Sequence, residues 1–181
     1  MLKLMVSPSI EPVSIEEMKE IARISDDSFD NILPSLIKAG REAAENFQNR
    51  VYLTQTWEES FDTFPDMPLI VSKQPLQKLE SVICIAEDGT EIELDVNDFV
   101  VSIRSNKIWF KKGKRWPKIT LQDYDSVIFR YKAGIEDPAL VDEVVKTAIK
   151  VFIIENLDNP ENPNPPEAFY NLLWYGRRVP V

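Results

Sequence analysis

One stretch, Leu33 to Glu58, changes its period partway, and that change constrains the fold more than any other feature of the chain. In its first part Leu33, Leu36, Ile37, Gly40, Ala44 and Phe47 recur at three- and four-residue steps, the spacing of one helix face. Arg41, Glu42, Glu45 and Gln48 fall largely elsewhere. Ala39, Gly40, Ala43 and Ala44 leave room for a second helix to come close. Asn49 and Arg50 end the helix, and Val51 to Glu58 then alternates as a strand does. A helix that feeds directly into a strand joins two substructures. The chain is therefore expected to hold a helical part and a β part that meet here.

Upstream, Pro8 and Pro12 keep Met1 to Pro12 out of helix, so this segment reads as an extended arm. Ser14-Ile15-Glu16-Glu17 is a capping box opening a first helix, with Ile15, Met18, Ile21 and Ala22 as its apolar face. The adjacent carboxylates Asp26 and Asp27 suit the start of a second helix, where they offset orphan amides, better than a metal or acid-base pair. Pro34 either sits in a first turn, with that helix starting near Asp30, the reading favoured here, or kinks the helix.

Downstream of Trp57 the pattern is β. Leu69 to Ser72, Leu79 to Ala86, Glu91 to Leu94, Phe99 to Ile103, Lys107 to Lys111 and Ser126 to Lys132 read as strands. Asp88-Gly89 and Arg104-Ser105-Asn106 read as hairpin turns. Hairpins at this spacing predict an antiparallel sheet or small barrel. Asp137-Pro138 is a helix entrance, followed by the apolar face Val141, Val144, Val145, Ala148, Ile149 and Phe152. A stiff polar loop, Asn159 to Pro166, precedes a short last helix with Phe169, Leu172 and Leu173 inward, stopped at Gly176.

The expected fold class is α+β: a small α-helical bundle of two N-terminal and two C-terminal helices, with an inserted antiparallel β subdomain. Residues 1–50 carry the arm and first helices, 51–134 the β-rich insertion, and 135–181 the last helices and tail, which pack with 1–50 as one helical core.

The composition excludes much chemistry. There is no histidine among the 181 residues, which removes the commonest general base, the usual Ser-His and Cys-His dyads and most zinc sites. Cys84 is the only cysteine, so no disulfide can form within the chain; placed in an alternating strand, it reads as a small buried apolar residue. No glycine-rich phosphate loop occurs. No apolar run approaches the ~20 residues of a membrane helix, and the start is too soon broken by Pro8 for a secretory signal. Carboxylate pairs can hydrolyse glycosides, but 30 acidic residues bring some together by chance, so an enzyme is not expected. No cofactor or metal is expected either. The net charge of −9 repels nucleic-acid phosphates and anionic membranes at long range.

Against that background one stretch is basic. Lys107, Lys111, Lys112, Lys114, Arg115 and Lys118 enclose Trp109, Phe110 and Trp116. Basic residues interleaved with aromatics can neutralise phosphates and stack bases. They can equally form a solvated hairpin end, the reading favoured here, or a contact for an acidic neighbouring subunit. Arg177 and Arg178 form a tail that suits either a partner-protein contact or a frayed helix end. A β-rich binding module, for carbohydrate, stacking on Trp57, Trp109 and Trp116, is the alternative function.

Several ordered pieces resemble the head-tail connector, or head completion, proteins of tailed bacteriophages, in the subgroup with a β-rich insertion between the helices. They are EPVSIEEMK at Glu11 to Lys19, Asp26-Asp27, REAAENFQNR at Arg41 to Arg50, LTQTWE at Leu53 to Glu58 and PLQKLESV at Pro75 to Val82. DGTE at Asp88 to Glu91, RWP at Arg115 to Pro117, FRYKAG at Phe129 to Gly134, the third helix and NPPEAFYNLL complete the series. Pro34 departs from the alanine-rich pattern of such proteins. The resemblance implies a structural protein of the virion neck, made in the bacterial host cytoplasm. It implies a ring of identical subunits, commonly a dodecamer, below the portal protein. The ring extends the DNA channel, through which packaged DNA passes without sequence-specific binding, and docks the tail or a stopper protein. No catalytic residue and no membrane are implied.

Overall fold

The computed structural model describes residues 1–161 and 164–177. The fold is α+β, with helices and antiparallel sheets segregated into two compact units. One unit comprises Met1–Ser7 and Thr54–Gly134; the other comprises Pro8–Leu53 and the chain from Ile135 on.

The helical unit holds α1 (Ile15–Ala22), α2 (Leu33–Gln48), α3 (Glu143–Asp158) and α4 (Glu167–Leu173). Ser14 caps α1, its Oγ accepting the Glu17 amide at 3.1 Å. The reciprocal arm of the capping box is not made, because the Glu17 carboxylate is taken by Lys150 of α3. Asp26 and Asp27 do not cap α2. Asp26 closes a local turn by accepting from the Ser28 amide at 3.1 Å, and Asp27 pairs with Lys19 at 3.0 Å. The helix starts at Leu33, three residues later than Asp30, with Ile32 at the cap position and Pro34 in the first turn, where no amide is required. Asp137 likewise caps a 3-10 turn, Pro138–Leu140, rather than α3.

The core of this unit joins Leu33, Ile37 and Ala44 of α2 to Val145, Ala148, Ile149, Phe152 and Ile153 of α3, with Phe169 and Leu173 of α4. Gly40 sits at the closest approach: a Cβ there would stand 3.0 Å from Phe152 Cδ1 and 3.2 Å from Ile149 Cγ2. Val144, expected inward, is 51% exposed, because α3 begins only at Glu143 and presents it to solvent. The chain leaves and re-enters this unit at one place, where the Ile135 amide donates to the Tyr52 carbonyl at 3.1 Å and Leu53 bridges Ile135.

The β unit holds β1 (Leu2–Val6), β2 (Gln55–Phe61), β3 (Leu69–Ile70), β4 (Leu76–Ile85), β5 (Glu91–Leu94), β6 (Phe99–Ser102), β7 (Lys107–Phe110) and β8 (Val127–Ala133). Five strands form one sheet in the order β1-β2-β8-β4-β5, and three form another in the order β3-β7-β6. Every pair within them is antiparallel. The extended arm read at the N-terminus is extended, and its Leu2–Val6 part is a paired strand. Leu2–Val6 is an edge strand of the β unit, paired with β2 through a register break at Met5. The strand expected from Val51 begins only at Gln55, since Val51, Tyr52 and Leu53 belong to the helical unit.

The five-stranded sheet has an apolar and a charged face. Val127, Phe129 and Tyr131 of β8 and Val82 and Cys84 of β4 are buried on the first. Phe129 meets Phe99 of β6 and Trp116 edge-on, at 6.4 and 6.1 Å between ring centres, so the two sheets pack through aromatic contacts. On the second face Glu58 of β2 pairs with Arg130 of β8, and Lys132 with Glu80 at 3.3 Å.

Candidate functional site

The basic segment begins within β7 and runs on past it, and the structure sends its two residue types in different directions. Lys111, Lys112, Lys114, Arg115 and Lys118 are exposed, while Lys107, Trp109, Phe110 and Trp116 are half-buried. Trp116 stacks on Phe64 at 4.9 Å, meets Phe110 edge-on at 4.9 Å, and donates its indole N–H to the Pro65 carbonyl at 3.3 Å. Its ring is part of the aromatic packing between the sheets. Lys114 is engaged by Asp98 at 2.8 Å, and that hydrogen bond holds its ammonium above the ordinary lysine pKa. Arg115, Lys111, Lys112 and Lys118 present their charges to solvent.

Beside this segment lies an open groove of about 610 Å³, lined by Met67, Pro68, Ser105, Lys107, Trp109, Phe110 and Lys114. Trp109 is the one indole of the three expected platforms that faces it. Trp57 lies on a different strand and carries the Lys73 ammonium 4.7 Å above its ring. The three rings do not converge on one surface, so their placement does not favour a carbohydrate-stacking module.

In the helical unit, one of the two arginines of the C-terminal tail is described. Arg177 lies over two rings, 5.2 Å from Phe47 and 5.8 Å from Trp174. Arg178 lies outside the described residues. Phe47 also meets Tyr170 edge-on at 5.0 Å. Trp174 is 61% and Tyr175 97% exposed, so an aromatic-arginine cluster faces water at the end of α4. Tyr and Trp beside Arg is the composition of protein contact surfaces.

Polar residues that fall off the apolar face of α2 in the sequence form a buried network. Arg41 is 2% exposed; its Nη1 donates to Glu45 Oε2 and its Nε to Glu11 Oε2, each at 2.7 Å. Glu45 Oε1 accepts the Tyr52 amide at 2.9 Å. Gln48 donates to the Leu173 carbonyl and accepts from the Tyr52 hydroxyl. This network fixes the turn out of α2 and ties it to α4. The i, i+4 spacing of Arg41 and Glu45 was the one available signal for part of it.

Among the described residues no cluster of three acidic or cysteine side chains is placed to hold a metal ion, and no helix is long and apolar enough to cross a membrane.

No protein-family model matches the chain, and no curated protein does. Solved structures do match. A chain in the neck of an empty gene transfer agent particle, computed with C6 symmetry, superposes with a TM-score of 0.80 at 14% identity, over 100% of this chain and 97% of that one. A chain in the virion of a native gene transfer agent particle gives 0.78 at 12% identity, again over 100% and 97%. A chain in the neck of the native particle, computed with C12 symmetry, gives 0.73 at 14% identity over 99% and 97%. At these identities the likeness is one of fold, and it runs the length of both chains. The fold of this protein is thus one found in the necks of gene transfer agent particles.

Proposed function

We propose that the protein is a structural subunit of the neck of a tailed phage or phage-like particle. It forms a ring under the portal, extends the DNA channel and offers a docking surface to the tail or a stopper protein. The observation that carries this reading is the full-length fold match to chains in the necks of gene transfer agent particles. The C6 and C12 symmetries of those necks support a cyclic assembly. Net acidity supports a channel that lets DNA pass without holding it, since phosphates are repelled at long range.

Within this reading the exposed Lys111, Lys112, Arg115 and Lys118 are the surface for DNA or for an acidic neighbouring subunit. The Arg177 aromatic cluster is the surface for a partner protein. The test is to measure the mass of the purified chain across concentrations, image any large species, and mix it with the portal protein of the same particle. A closed ring, free or formed on the portal, is expected. A chain that neither closes into rings nor binds the portal overturns the reading. Charge reversal at Lys111, Lys112 and Lys118 that leaves both assembly and DNA retention intact removes that patch from it.

A further inference from the structure

The five-stranded sheet ends in two edges, β1 and β5, and among the described residues neither has a strand on its outer side. Bare edges invite pairing with another chain, and proteins usually cover or charge them. Here β1 is left apolar. Leu2, Leu4, Met5 and Val6 make four of its five residues, and they are 37–57% exposed.

The two edges match each other. Following the register across the sheet, Leu2 lies in one row with Glu59, Phe129, Val82 and, at the far edge, Leu94; Leu4 lies in a row with Trp57, Tyr131 and Leu79; and Ile92, opposite Cys84, is on the same apolar face. Lys3 lies on the opposite face, with Glu58 and Arg130, and Glu91 and Glu93 of β5 lie there too. A β1 edge set beside the β5 edge of another copy therefore continues both faces. Leu2 and Leu4 meet Ile92 and Leu94, and Lys3 meets Glu91 and Glu93. Lys3, Glu91 and Glu93 have no ion-pair partner among the described residues.

Charge also selects the kind of assembly. Pairing β1 with β1 sets Lys3 against Lys3, and pairing β5 with β5 sets glutamates against glutamates; like charges directly opposite destabilise a sheet. Only the unlike edges attract. A contact between two different surfaces of identical subunits is heterologous, and it closes into a ring when the rotation permits. Four antiparallel steps separate β1 from β5, so they run in the same direction within one subunit. A ring of many copies nearly preserves that direction between neighbours, so the new pair is parallel.

We propose that β1 of one subunit pairs with β5 of the next, joining the five-stranded sheets across the subunit contact and driving self-association of the free chain. This rests on the ring reading above and names the contact that builds the ring.

The test measures association by sedimentation velocity over a concentration series. It compares the wild type, Lys3→Glu, the doubly reversed Glu91→Lys/Glu93→Lys chain, and an equimolar mixture of these two variants. All three positions are exposed, and circular dichroism checks that each variant folds. The wild type is expected to associate, and each variant alone to associate at least ~10-fold more weakly through facing like charges. The mixture is expected to regain association, because the acidic β1 edge of one variant then meets the basic β5 edge of the other, and their two native edges meet in turn. A purely structural defect in either variant predicts no such recovery. Variants that associate as the wild type does, or a mixture that stays dissociated, overturn the pairing and leave the ring to another contact. A wild type that is monomeric at every concentration also overturns it, while the neck reading then stands or falls on portal binding.

Discussion

Arg41 and Glu45 sit one helical turn apart on α2 and pair at 2.7 Å with side chains only 2% and 8% exposed. A charge pair this dry is held by mutual neutralisation, and removing one partner strands the other. Arg41→Met is expected to destabilise the protein by roughly 3–5 kcal/mol, read from the urea midpoint. Adding Glu45→Gln should recover part of the loss, since a neutral amide oxygen still accepts from the Tyr52 amide. A single variant within ~1 kcal/mol of wild type would show that water reaches the site.

The α1 cap is a single hydrogen bond, Glu17 amide to Ser14 Oγ. Ser14→Ala is expected to cost about 1 kcal/mol, seen as a lowered melting temperature. Ser14→Asp should keep most of the stability. An unshifted melt for the alanine variant counts against the cap.

Gly40 allows α2 and α3 to touch. Gly40→Leu places new atoms where Phe152 and Ile149 already stand, and overpacking of this kind costs about 1–3 kcal/mol. Pairing it with Phe152→Ala frees volume and should return part of the loss. If Gly40→Leu alone is as stable as wild type, the two helices are not packed as closely as described.

Cys84 is fully buried, and burial pushes its thiol up to about 11 from an ordinary 9.0. Burial raises the Tyr52 and Tyr131 hydroxyls as well. For a raised acid the unfolded chain ionises first. The stability Cys84 contributes is whole below about pH 9 and is lost as the pH climbs through 11, and the buried tyrosines continue the loss above that. Denaturation midpoints should fall over that window, and less steeply in Cys84→Ala. A thiol reagent at pH 8 should label the native protein at least ~100-fold more slowly than the unfolded one. Equal rates would place the thiol at the surface.

The helices were legible in the sequence because their apolar residues keep the helical period, and the central strands because buried and exposed positions alternate. The Asp88-Gly89 turn announced itself, with Gly89 at φ +83°. β1 did not. Leu2–Val6 is as short as many loops, Pro8 follows it, and its partner β2 begins only at Gln55. Pairing at that separation leaves no local mark. The burial of Arg41, Glu45 and Gln48 was not legible for a related reason. They fall off the apolar face of α2, and only Glu11, Tyr52 and Leu173, brought in by the fold, satisfy them inside. The basic segment set Trp116 among lysines in the sequence, but the fold separates ring from charge.

The bridge between Leu53 and Ile135 makes the long β excursion a loop with its neck tied. Residues 54–134 leave and return at neighbouring points, so the helical unit would close just as well over a short connector. Shortening ~80 intervening residues to about four lowers the entropy of closure by roughly 2.5 kcal/mol. The excursion is in this sense a graft. Only the edge strand Leu2–Val6, paired with β2, reaches into its sheet from outside those residues.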